Sequence, residues 1–412
     1  MRSAPRTASL RVLPYSAREF NVAFGILIFA FVGLRIGLWR YINNSDLLTS
    51  FVPWQSYILQ HGRWHALQHP LGIYFPAYFD LTVLTSYLDG HHVNRINQIK
   101  LISFCFDLLA AYIAYALVSR IVRDSEARNH FSLAPKIAAL SILAGPTVLI
   151  NGSAWGQTDI VYTTLLLLST YAVIAGSGAA AALFFGFALA FKLQAIFLVP
   201  FLGAMLLARR IRWIHLLLVP VGWILSLIPC LLAGGTLREF LMLPFTQGDK
   251  FPVLAINIGN PWTALMLLHF NERLGTLLGI AITVAVTIVI SVWGSRAVFQ
   301  TPTNTLMLAS FSLLVLPYVM PRMHDRYFFA AEVFLCILSC IDLDFWFPAA
   351  LVLSASLISY SNYFLYHVRY LVLLPALLAN TAALWLALRL VRLRVGLDQK
   401  PALEDPLVNL SS

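Results

Sequence analysis

Charge is scarce in this chain. Only 11% of its 412 residues are Asp, Glu, Lys or Arg, against about 25% in a soluble domain. With 59% of the residues apolar, no soluble core could bury them all, and a solvated globular protein is excluded. Cysteine is sparse too. Cys105, Cys230, Cys336 and Cys340 lie in apolar stretches without metal-ligand spacing, which argues against a disulfide framework or a zinc site. The sequence has no phosphate-binding glycine loop, no zinc motif and no serine-nucleophile elbow. It also lacks a separate soluble domain, a low-complexity tract and a clear internal repeat. No small-residue cleavage site follows the first apolar stretch; Arg35 and Arg40 come instead, so a retained first helix is expected.

What the chain has is repeated apolar runs, many of them about 17–20 residues long, enough to cross a bilayer. The expected fold is an all-α polytopic membrane bundle of about twelve transmembrane helices. The spans fall near 21–38, 99–119, 134–150, 158–175, 179–192, 194–208, 213–233, 274–293, 304–319, 327–341, 345–363 and 369–391. The net charge of +10 does not indicate a nucleic-acid partner, because the basic residues cluster at span ends: Arg2 to Arg18, Arg120 to Lys136, Arg209 to Arg212 and Arg389 to Lys400. Basic flanks mark the cytoplasmic side. Residues 73–88 are apolar but rich in Tyr and Phe. Placing them as interfacial helix in the first outer loop keeps every basic cluster inside. The layout is then a basic cytoplasmic N-terminus at 1–20, a single transmembrane domain at 21–393 with outer segments at 39–98 and 234–273, and a cytoplasmic tail at 394–412. A multi-pass protein of the plasma (inner) membrane, with its functional surface facing the periplasm or exterior, is the expectation.

Charged groups at membrane depth cost a few kcal/mol, roughly 2.5–3.5 at a helix centre, and those that persist usually face a cavity. The candidates sit at outward span ends. Asp46 opens the first outer loop, where it can take a proton from a sugar hydroxyl or cap the next helix. Gln157 and Asp159 join two spans; Asp159 can bind hydroxyls or stabilise a helix N-terminus. Lys192 and Gln194 mark a turn between spans, where a lysine snorkels or holds a lipid phosphate. His324 and Arg326 can grip a phosphate, Arg in two-pronged fashion, or serve as anchors with Asp325 paired to Arg326. Asn257 and Asn260 offer donors and acceptors for a sugar, or are plain turn residues. Asp342 and Asp344 look like a metal-binding pair but lie at an inner end, so no metal and no cofactor is expected.

The order of these residues along the chain resembles the GT-C superfamily of integral membrane glycosyltransferases, over roughly residues 20–390. The motifs are Asp46 eight residues before Trp54, the aromatic-proline run Tyr74-Phe75-Pro76-Ala77-Tyr78, Asp107 of the second span, Trp155 to Asp159, Lys192-x-Gln194, Asn257-x-x-Asn260, and Met323 to Phe328. Ala77, Pro261 and Asp325 depart from the residues common at those places. The bacterial members, and more distantly the enzymes using dolichyl-phosphate glucose or mannose, are the nearest in pattern.

The resemblance implies an enzyme that moves a hexose-type sugar from a polyprenyl-phosphate lipid to a glycan or lipid acceptor of the envelope. Asp46 would be the general base of an inverting, metal-independent transfer. His324, Arg326 and Lys192 would hold the donor phosphate. Trp54, Tyr74, Gln157, Asp159, Gln194, Asn257 and Asn260 would line the sugar and acceptor site, and Asp107 and Asp325 would orient hydroxyls or brace helices. The alternative is a transporter or lipid flippase, for which twelve spans with both ends inside is a common plan; a non-catalytic lipid-binding subunit is a third reading.

Overall fold

The computed structural model describes residues 17–41, 44–72, 74–91, 93–123, 132–250, 253–366 and 369–397. The basic N-terminal segment, Arg128 and the tail beyond 397 lie outside the described residues. The helices in chain order are α1 (Ala17–Leu38), α2 (Val52–His61), α3 (Pro76–Ser86), α4 (Arg95–Arg123), α5 (Ala134–Ala144), α6 (Pro146–Trp155), α7 (Asp159–Ile174), α8 (Gly178–Phe191) and α9 (Leu193–Leu207). They continue with α10 (Trp213–Leu225), α11 (Ile228–Leu232), α12 (Leu237–Lys250), α13 (Pro261–Leu267), α14 (Glu272–Gly294), α15 (Pro302–Val319), α16 (Phe329–Ser339), α17 (Trp346–Ser361) and α18 (Leu374–Leu397). Helix starts follow from proline: Pro76, Pro146, Pro261 and Pro302 each stand at the first helical position, where a missing N–H costs nothing.

The chain is thus a multi-pass membrane protein, all-α among the described residues but for one small bridge. Every expected span coincides with helix, yet six helical segments among the described residues are long and apolar enough to cross a bilayer, or seven if the pair α5 and α6, bent by 41°, is one span. The others are shorter. At 1.5 Å per residue, the 11 residues of α16 cover only about 16 Å, half of the hydrocarbon thickness. Helix α3 is equally short.

The bend has a chemical cause. Pro146 lacks the N–H that would pair with Ile142 O. The Arg35 guanidinium fills the gap, its Nη2 donating to Ile142 O and Leu143 O at 3.0 Å each. Its Nη1 pairs with Asp107 of α4, both side chains being fully buried. Asp107 therefore braces α1, α4 and the bend together.

The strand bridge pairs Ala255–Ile256 in parallel with Met323–His324. It ties the segment before α13 to the link between α15 and α16, and so fixes the backbone at His324, two residues before Arg326. At the opposite end of the bundle, Arg394 binds Asp342 (2.8 and 3.0 Å) and Asp344 (2.7 Å), so this carboxylate pair serves an ion-pair network.

Candidate active site

The site forms at one end of the bundle, where α1 runs into the turn before α2, α6 meets α7, α8 breaks into α9, and α15 links to α16. Asp46 is its centre. Three donors converge on a single oxygen, Oδ2: Trp155 Nε1 at 3.1 Å, Gln157 Nε2 at 2.8 Å and Arg326 Nη1 at 3.0 Å. The Tyr363 hydroxyl lies beside the same carboxylate, and the Asp46 side chain stays 33% exposed. Oδ2 is thus immobilised, and the exposed part of the carboxylate can reach a proton.

Behind Asp46 lies a buried ion cluster. Lys192 ends α8 with extended backbone (φ −152°, ψ 136°), which breaks the helix and sends its side chain to Asp159, Nζ to Oδ1 2.7 Å. Asp159 begins α7 and takes a second bond from Asn151 Nδ2 at 2.8 Å. Arg326 Nε is 3.5 Å from Asp159 Oδ2 and 3.8 Å from Asp325 Oδ1. Burial disfavours the Arg326 charge, but Asp325, Asp159 and Asp46 around it prevail and hold it protonated well above the usual arginine range. Burial pushes Asp325 up to about 7, with Arg326 opposing. Burial, then the charge of Arg326, push His324 down to about 4, so its ring is neutral at pH 7.

Aromatic rings frame these groups. The Arg326 guanidinium lies 4.7 Å from the Trp155 ring centroid, and Tyr363 stacks on Trp155 at 4.4 Å. Lys192 Nζ lies 5.2 Å from the Tyr74 centroid. Tyr74 donates its hydroxyl to Gln157 Oε1 at 2.9 Å, which leaves the amide N–H of Gln157 to face Asp46.

The structure therefore brings together Asp46, Tyr74, Gln157, Asp159, Lys192, Asp325 and Arg326, with His324 beside them. Gln194 bonds Tyr327, one residue beyond Arg326. Other expected residues are held in scaffold contacts. Trp54 packs in a cluster with Phe51, Tyr74 and Phe79 at centroid distances of 5.4–5.5 Å. Gly72, at φ +80°, lies so close that a Cβ would sit 2.5 Å from that indole. Asn260 caps α13 through Thr263 N and reaches Pro317 O at 3.3 Å. Asn257 accepts from Asn362 Nδ2 at 2.7 Å. Asp107 sits in the Arg35 pair.

Tyr363 is the residue that sequence reasoning missed. Its hydroxyl lies 2.6 Å from Ser45 Oγ and accepts from Asp46 N at 3.4 Å, which clamps the backbone of the carboxylate. Its only sequence signal was the polar Ser361-Asn362 at the end of an apolar span.

The profile of Glycosyltransferase family 87 matches residues 95–319, more than half of the chain. The chain belongs to glycosyltransferase family 87. The expectation of a GT-C membrane glycosyltransferase holds, and the transporter and non-catalytic readings give way. No curated protein sequence matches. Among solved structures, ArnT from Cupriavidus metallidurans, crystallised bound to undecaprenyl phosphate, is similar in fold: TM-score 0.54 at 13% identity, over 92% of this chain and 78% of ArnT. That similarity extends beyond the family 87 profile to both flanks, where Asp46 and Arg326 lie.

Proposed function

We propose that this family 87 glycosyltransferase takes a hexose from a polyprenyl-phosphate donor and transfers it, with inversion, to a lipid-linked or envelope acceptor on the outer face of the membrane. The observation that carries the reading is Asp46: one oxygen held by three donors and a third of the side chain exposed, beside two buried cations. The undecaprenyl phosphate in the ArnT structure, on a similar fold, supports a polyprenyl lipid as donor carrier.

In this mechanism the acceptor hydroxyl oxygen attacks the anomeric carbon, and its proton passes to Asp46 Oδ1. The bond from that carbon to the phosphate oxygen breaks, and its electron pair leaves with the phosphate. A phosphate leaving group needs charge stabilisation more than protonation. Arg326 and Lys192 provide it, with the neutral His324 able to donate a hydrogen bond, and no metal is needed for the step. Gln157 orients the base. Asp159 and Gln194 would line the sugar site beside Tyr74, while Trp54, Asn257 and Asn260 support the segments around it.

The outward orientation rests on the basic residues. Arg120 and Arg123 end α4, Arg209 follows α9, and Arg394 lies in the last turn of α18, each at the end of its helix away from the site. Counting the short helices α7, α8, α9, α10 and α16 as further passes gives twelve crossings.

A panel of labelled polyprenyl-phosphate sugars, offered with host lipid extract and a chelator, tests the reading. Transfer from one donor, with inverted anomeric configuration in the product, is expected. Donor binding without transfer to any extract would overturn it.

A further inference from the structure

Each of the two cations of the site faces carboxylates. Arg326 Nη1 lies 3.0 Å from Asp46, and its Nε lies 3.5 Å from Asp159 and 3.8 Å from Asp325; Lys192 Nζ lies 2.7 Å from Asp159. Both cations are largely covered, with side chains 15% and 9% exposed. Asp46 takes one hydrogen bond from this guanidinium, through Nη1, while Nε is near two carboxylates without bonding either. A phosphate that grips the guanidinium with two oxygens needs Nη1, so it competes with Asp46 there.

The competitors are not equivalent. Asp159 is 2% exposed and pinned by Lys192 and Asn151. Asp325 is buried next to Arg326 in the chain. Asp46 is the exposed one, and it keeps Trp155 and Gln157 as donors when Arg326 leaves. His324, also facing Arg326 and Asp46, adds no positive charge while neutral.

We propose that Asp46 occupies the anion position of Arg326 in the unloaded enzyme, and that the donor phosphate displaces it. Arg326 holds one oxygen of the base until the donor is seated, and seating the donor leaves Asp46 on Trp155 and Gln157 with its other oxygen toward the acceptor hydroxyl. This inference rests on the reading of Arg326 as a phosphate ligand, and it makes a prediction that reading alone does not: removing the catalytic charge should improve lipid-phosphate binding.

The test is equilibrium binding of undecaprenyl phosphate to the full-length protein in detergent. Wild type is compared with Asp46→Asn, Arg326→Ala, the double variant, and Glu272→Gln as an exposed-charge control; Asp46→Ser replaces Asp46→Asn if the latter is not monodisperse. Asp46→Asn should bind roughly three- to tenfold tighter than wild type. The gain should vanish in the Arg326→Ala background, and Glu272→Gln should match wild type. Unchanged or weaker binding by Asp46→Asn, while Arg326→Ala still binds poorly, overturns the competition and leaves the phosphate site standing. An equal gain in Glu272→Gln also overturns it, as a general charge effect. Wild-type affinity in Arg326→Ala overturns the phosphate site and the inference together.

Discussion

Lys192 Nζ lies 2.7 Å from Asp159 Oδ1, with both side chains nearly closed to solvent. Removing one member of such a pair leaves a buried charge without a partner, at a cost of about 3–5 kcal/mol. Asp159→Ala should therefore unfold well below the wild-type temperature. Asp159→Leu combined with Lys192→Met should recover much of that stability but no activity. Thermal unfolding in detergent and a transfer assay, run on the same preparations, separate the two effects.

The Arg35–Asp107 pair predicts a different pattern. It is fully buried and, among the described residues, makes no hydrogen bond to the Asp46 cluster, with Arg35 bracing the α5–α6 bend. Asp107→Ala should lower stability by about 3–5 kcal/mol, while the fraction that stays folded keeps its turnover. A folded Asp107→Ala protein with little turnover would move this residue into the site.

Tyr363→Phe removes only a hydroxyl, the one that holds Ser45 and the Asp46 backbone. The stacked ring remains on Trp155. One or two neutral hydrogen bonds are worth about 0.5–1.5 kcal/mol each. We expect kcat to fall roughly three- to tenfold, with the donor KM nearly unchanged. An unaltered kcat would show that the clamp does not position the base.

The pH dependence of stability follows from two adjacent residues with opposite shifts. His324 is held down to about 4 from 6.5, so the unfolded chain takes its proton first, and folding loses stability as pH falls from 6.5 toward 4. Asp325 is raised to about 7 from 3.8, so the folded chain takes its proton first, and stability is lost as pH rises from 3.8 toward 7. The slopes oppose each other in wild type. Asp325→Asn should expose the His324 slope, with the melting temperature falling as pH drops below 6.5. His324→Gln should show the reverse between 4 and 7. Parallel curves for all three proteins would contradict both assignments.

How legible was this architecture? The penalty for charge in a membrane made Asp46, Asp159, Lys192 and Arg326 stand out at span ends, and all four meet in space. Lys192 after an apolar run also marked the α8–α9 break. Partnerships were harder to read. Arg35 and Asp107 are 72 residues apart, and only the packing of α1 on α4 and α5 joins them. Asn260 stood out as a sugar ligand, yet an Asn directly before Pro261 also has the chemistry of a helix cap, and the structure uses it so. Hydropathy marked where the helices lie but not which of them are long enough to cross: it cannot see that Pro146 bends one helix or that α16 stops after 11 residues. Tyr363 stayed hidden because a tyrosine at the end of an apolar span is the ordinary interfacial anchor.

The central claim is that Asp46 takes the acceptor proton. The most direct measurement is single-turnover transfer from a labelled polyprenyl-phosphate sugar by wild type and Asp46→Ala side by side, at equal folded concentration and with chelator present. The account predicts transfer by wild type and a loss of about a thousandfold or more in Asp46→Ala, with the donor still bound. Transfer by Asp46→Ala at the wild-type rate would contradict it.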